Sequence, residues 1–138
     1  MAITPRQKLL VQESFKLVEP IAEQAAGLFY QTLFTYDPSL KPLFKSDLKS
    51  QGKKLMMTLK VAVKGLDDLD ALVPVLQQLA ARHVDYGVKA SHFTPVGNAL
   101  LYTLKQGLGE KWNPELRQAW VDTFRVVATV MKAHAFPH

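Results

Sequence analysis

Three polar residues stand where apolar ones would be expected. His83 lies in the series Leu72, Leu76, Leu79 and Tyr86, whose steps of four, three and seven trace one helix face. Gly87 follows as a helix stop. Tyr30 falls in an inner stripe with Ala22, Ala26, Phe29 and Leu33, and Gln51 is reached by projecting the Leu55, Leu59, Ala62, Val63 and Leu66 face back one turn. An imidazole turned into an apolar interior has two readings. It is a core residue whose ring nitrogens are hydrogen-bonded, or it is a metal ligand, since imidazole is the commonest one in proteins. A buried phenol or amide without a partner costs about 1–3 kcal/mol. Tyr30 and Gln51 therefore each bond to a nearby backbone group, or they share a pocket with His83. Phe44, an aromatic at the end of a short helical piece, is a further candidate for the wall of such a pocket.

The elements that must position these residues are all helical. Thr4, Pro5 and Gln7 read as N-cap, first turn and capping box of a helix running to about Glu19, with Leu10, Ser14, Leu17 and Val18 on one side. Pro20 opens a second helix to about Tyr36, in which two small residues of the inner stripe permit a close crossing. Asp37-Pro38-Ser39 breaks it, a short helical piece to Leu43 or Phe44 follows, and Lys45 to Ser50 reads as a polar connection. The next helix spans about Ser50 to Leu66. Asp67, Asp68 and Asp70 then supply the negative charge that suits the start of the Leu72 helix. Ser91 caps a helix to about Leu108, and Asn113-Pro114 opens the last one, with Leu116, Trp120, Phe124, Val127 and Met131 on its stripe. No segment alternates with period two. The expected fold is all-α, with about six long helices and one or two short ones in a single domain over 1–138. The two longest helices are expected late in the chain, packed antiparallel.

Composition narrows the chemistry. The 138 residues contain no cysteine, which excludes disulfides, zinc–thiolate sites and iron–sulfur ligation. With 48% hydrophobic residues the chain should fold, and no stretch approaches the length of a membrane-spanning run. The N-terminus lacks the apolar region of a secretory signal, so a soluble cytoplasmic protein is expected. The net charge of +5 is concentrated between Lys41 and Lys64, where seven lysines stand against one acid, Asp47. That edge is either a solvated basic surface or one that faces an acidic partner or ligand carboxylates. Nucleic acid is not expected, because no recognition motif and no arginine accompany the lysines. His92, His134 and His138 read as bland. A zinc site from His83 and His92 would have to span the Gly87 break without a carboxylate to complete it.

Nearly the whole sequence resembles the globins, and within them the bacterial single-domain globins related to flavohaemoglobins and neuroglobin. The most specific stretch is Arg82-His83-Val84-Asp85-Tyr86-Gly87-Val88, followed by Phe93 and Val96 to Leu101. Leu28 to Phe34, Asp37-Pro38, Pro42-Leu43-Phe44, Gln51 to Met56, and Trp120 with Phe124 also match. The resemblance implies haem b, with His83 as the proximal iron ligand and Phe44 stacked on the macrocycle. It also implies distal residues Tyr30, Gln51 and Leu55, with Tyr86 and Val88 in cofactor contact. The Leu79 carbonyl is an expected acceptor for the second ring N–H of His83. Lys53 and Lys54 are expected to meet propionates or solvent rather than the iron. In flavohaemoglobins a Tyr and a Glu back up the proximal His; the matching positions here are Phe93 and Ala135, neither of which can accept its proton.

The function this implies is reversible binding of O₂, CO, NO or similar diatomic ligands, for storage or transport. A second expectation is an NO dioxygenase served by a separate reductase docking on the Lys41–Lys64 edge. The sequence ends where a reductase part would begin, so re-reduction is expected from outside. A third is a haem-based gas or redox sensor.

Overall fold

The first helix begins as its sequence dictates. In a computed structural model of the chain, Thr4 Oγ1 accepts from the Gln7 amide at 3.0 Å and Gln7 Oε1 accepts from the Thr4 amide at 3.1 Å. Two otherwise orphaned amides are thereby satisfied reciprocally. Six α-helices follow in order: α1 (Pro5–Val18), α2 (Ala22–Tyr36), α3 (Leu48–Gly65), α4 (Leu69–Asp85), α5 (Phe93–Leu108) and α6 (Pro114–Ala135). Short 3₁₀ turns lie at Glu19–Ile21, Pro38–Leu43, Ala90–His92 and Gly109–Lys111. The structure describes residues 3–44, 47–85 and 89–135, with the side chains of 83–85 outside that description. Among the described residues there is no strand, and no helix is long and apolar enough to cross a membrane.

Several boundaries differ from expectation. α3 starts at Leu48 rather than near Ser50, because the Asp47 carboxylate accepts from the Lys49 amide at 2.9 Å and supplies the cap. Part of the expected connection between Lys45 and Ser50 is thus helix. Ser91 does not cap α5; it sits inside the 3₁₀ turn, where His92 Nδ1 accepts from the Lys89 amide at 3.0 Å. Asn113 does open α6, its Oδ1 accepting from the Leu116 amide at 2.8 Å. The two longest helices are α6 with 22 residues and α3 with 18, so the second of them is not late in the chain.

The inward face of α1 carries Val11, Ser14, Phe15 and Val18, whereas Leu17 is 48% exposed. A long-range bond sets this rotation. Trp120 Nε1 donates to Ser14 Oγ at 2.9 Å, and Ser14 Oγ donates to the Val11 carbonyl at 3.0 Å. The pairing satisfies the indole of a buried tryptophan and turns Phe15 into the core. The most extensive helix pairs are α2 with α5 and α4 with α6. α3 leans on α2, while a second apolar cluster (Leu72, Leu76, Ala80, Phe93, Ala128 and Met131) joins α4 to α5 and α6. This leaves α3 and α4 as the two walls of a cleft.

Candidate functional site

Tyr30 lies on the inward face of α2, 5% exposed. Its ring meets Phe29 edge-on at 5.2 Å, Phe44 edge-on at 5.3 Å and Phe34 stacked at 6.1 Å. Its hydroxyl donates to the main-chain carbonyl of Gln51 at 3.1 Å. The partner of this buried phenol is therefore a backbone group, and that group belongs to the polar residue expected beside it. Burial pushes the Tyr30 ionisation up to about 12, so near neutral pH the group is a proton donor.

The contact depends on how closely α3 approaches α2. A Cβ built on Gly52 would lie 2.9 Å from Ala26 Cβ, a separation real side chains do not show. Gly52 is thus the residue that lets the first turns of α3 settle on the small-residue stripe of α2. Sequence reasoning found the α2 half of this crossing and missed the α3 half. The available signal was a glycine inside a helix, where it costs about 1 kcal/mol relative to alanine and needs a reason.

Gln51 itself is half-buried, and among the described residues its side chain makes no hydrogen bond. Phe44 follows the 3₁₀ turn Pro38–Leu43, partly buried against Tyr30 and Phe34. Leu55, one turn beyond Gln51, lines an apolar void of about 10 Å³ together with Phe15, Phe29, Met56 and Leu104. Tyr30, Phe44, Gln51 and Leu55 are thus brought together where α2 and α3 meet.

A larger space opens between α3 and α4, on the face of α3 that carries Gln51 and Leu55. Thr58, Val61 and Ala62 of α3 face Leu72, Leu76 and Leu79 of α4 over a cleft of about 280 Å³. Arg82, which sequence reasoning did not single out, lines the same cleft and is exposed. Its only advance signal was its place directly before His83. His83 belongs to the α4 helix, seven residues after Leu76 and four after Leu79, so its register is that of the cleft-lining row. The His83 side chain lies outside the described residues. So do Tyr86, Val88, the expected Gly87 stop and the pairing of His83 with the Leu79 carbonyl. Behind α4, Phe93 and Ala135 take part in the apolar cluster with Leu76, Leu79 and Met131. His134 is exposed, and among the described residues no group of three or more metal-ligating side chains gathers.

Comparison with known proteins agrees with the all-α fold. The Globin family model matches residues 27–131. Neuroglobin from Tetraodon nigroviridis is 33% identical, with 94% of this chain aligned to 90% of that one. A flavohemoprotein from Chromobacterium violaceum is 27% identical over 94% of this chain, which spans only 33% of that relative. In structure, a bacterial globin from Campylobacter jejuni superimposes with a TM-score of 0.83 over 96% of each chain, at 24% identity. The chain belongs to the globin family, and that membership supports haem-based ligand binding.

The residues present fit such a group. A flat macrocycle with two carboxylates calls for an apolar slot with cations near its mouth. The α3–α4 cleft is lined by Leu72, Leu76, Leu79 and Ala62 and bordered by Arg82. A haem iron is held in many proteins by one histidine, and His83 has the register of the same wall.

Proposed function

We propose that this chain binds O₂ reversibly, together with CO and NO, at a haem b seated between α3 and α4, with His83 as the iron ligand. The observation that carries the reading is the Tyr30 hydroxyl. It is a protonated donor in an aromatic enclosure, bonded to the main chain of Gln51 at the point where α2 meets α3. Haem iron, when bound, supplies one open position for a diatomic molecule.

The rest of the work falls to the chain's own residues. Tyr30 and the Gln51 amide hold hydrogen-bond donors ready for a ligand that draws electron density. Such donors gain strength where water is excluded. Leu55 and Phe44 fill the space around them with apolar bulk, and Tyr86 and Val88 complete the cofactor contacts. Phe93 and Ala135, the positions that the resemblance sets behind His83, lie in an apolar cluster and carry no carboxylate or phenol. A neutral imidazole favours holding a ligand over cleaving it, which supports binding as the role rather than oxygen chemistry.

The test is reconstitution with haem, reduction under argon, and cycles of O₂ followed by argon, read by absorption. One haem per chain and a spectrum that cycles over several rounds is the expected result. Failure to take up haem, or oxidation on first exposure to O₂ with no oxygenated spectrum, would refute the proposal.

A further inference from the structure

The outward face of α3 carries no acid. Among its exposed residues are five lysines, at positions 49, 53, 54, 60 and 64. Lys49, Lys53, Lys60 and Lys64 recur at i, i+4, i+11 and i+15, which places them within about 60° of one another on a ridge about 22 Å long. Neighbouring elements answer two of them. Lys49 lies 4.0 Å from Glu23 and Lys60 lies 3.5 Å from Glu19, and all four side chains are well exposed. Exposed pairs of this kind contribute little. Lys53, Lys54 and Lys64 have no ion pair among the described residues.

A merely solvated basic surface would not need large apolar side chains beside the ridge, yet two are there. Met57 is 69% exposed and Val61 49%, and across the cleft mouth Val75 of α4 is 45% exposed. All three border the same opening. An exposed apolar patch rimmed by charge of one sign has the anatomy of a protein interface, with an apolar centre and a polar edge.

We infer that this face docks a second protein, one that presents carboxylates around an apolar patch and seats over the mouth of the α3–α4 cleft. Charge complementarity selects the acidic rim, and the exposed Met57, Val61 and Val75 select the apolar centre. An anionic bilayer would call on the same lysines, and vesicles separate it from a protein partner. The lysines and these exposed side chains stand whatever the cleft holds, so the inference stands or falls separately from the ligand-binding proposal.

The experiment uses the full chain and two probes: oxidised flavodoxin, a small acidic protein, and phosphatidylglycerol vesicles. Binding is read by titration calorimetry in about 0.02 M and about 0.3 M salt, a range over which screening becomes strong. The variants are the doubles Lys53→Glu/Lys64→Glu and Met57→Ser/Val61→Ser, all at exposed positions, with folding checked by circular dichroism. The expected result is flavodoxin binding that high salt weakens. Charge reversal should weaken it at least about tenfold. The apolar double should weaken it about threefold or more with the salt dependence kept. Three results would overturn the inference: no flavodoxin binding, binding indifferent to either double variant, or binding to the vesicles alone.

Discussion

Replacing Tyr30 by phenylalanine removes one oxygen and tests two statements together. In the ligand-free protein that oxygen donates to the Gln51 carbonyl at 3.1 Å. A net hydrogen bond of this type contributes about 0.5–1.5 kcal/mol. The Gln51 carbonyl also lies within the α3 ladder, so its loss of the phenol does not orphan it. The haem-free variant should therefore lose about 1 kcal/mol, a melting temperature lower by roughly 3–5 °C for a chain of this size. On the proposed reading, the same hydroxyl in the ligand-bound protein faces an acceptor carrying partial charge, where a bond is worth about 1.5–3 kcal/mol. To make it, the hydroxyl must leave Gln51, so the net gain is nearer 0.5–2 kcal/mol, or roughly a 2- to 30-fold change in ligand release. Stopped-flow measurement of O₂ release from wild type and Tyr30→Phe, with thermal unfolding of both without haem, reads the two effects. An unchanged release rate would refute the donor role. Acceleration far beyond a hundredfold, with unchanged haem-free stability, would refute the idea that the hydroxyl is shared with Gln51.

Other expectations concern packing and pH. Gly52→Val forces a side chain into the space held by Ala26 and should destabilise the fold by about 1–3 kcal/mol, visible as a lower urea midpoint; unaltered stability would mean that α2 and α3 do not cross as closely as described. Ser14→Ala strips the buried Trp120 indole of its acceptor and should cost about 1–3 kcal/mol, read as a lower urea midpoint; an unchanged midpoint would contradict the role given to that bond. Because the folded protein holds the Tyr30 ionisation up to about 12, against 10.0 for the ordinary group, the unfolded chain loses that proton first as pH rises. Stability linked to Tyr30 is therefore complete below about pH 10 and falls between about pH 10 and 12. Alkaline unfolding of Tyr30→Phe should lack that part of the fall, and an identical profile would contradict it.

Much of this arrangement was legible in the sequence, for physical reasons. Long amphipathic stripes set the helix count, and a polar residue on an apolar face announces an unmet hydrogen bond. The Tyr30 hydroxyl does find a partner, and it is the main-chain carbonyl of Gln51. The pattern could not say which atoms would bond, because a backbone carbonyl and a shared ligand satisfy a phenol equally well on paper. Rotation about a helix axis was harder. Leu17 and Phe15 both suit the inside of α1, and the choice was made by Trp120, more than a hundred residues away, through its bond to Ser14. Helix starts shifted with their caps: the Asp47 carboxylate starts α3 at Leu48 rather than near Ser50, and a 3₁₀ turn absorbed Ser91. The role of Gly52 shows only when two helices are placed side by side, and the exposed Met57 and Val61 gain meaning only beside the lysine ridge.

The claim at the centre of this account is that His83 carries the cofactor's iron. The direct measurement is the absorption spectrum of purified wild type and His83→Gly, ferrous and then CO-bound, with and without added imidazole. The expected result is a five-coordinate ferrous wild type that shifts cleanly with CO, a variant that loses this spectrum, and its return when imidazole fills the space left by the side chain. A variant that keeps the wild-type spectrum, or a wild type whose ferrous iron is six-coordinate before CO is added, would contradict it.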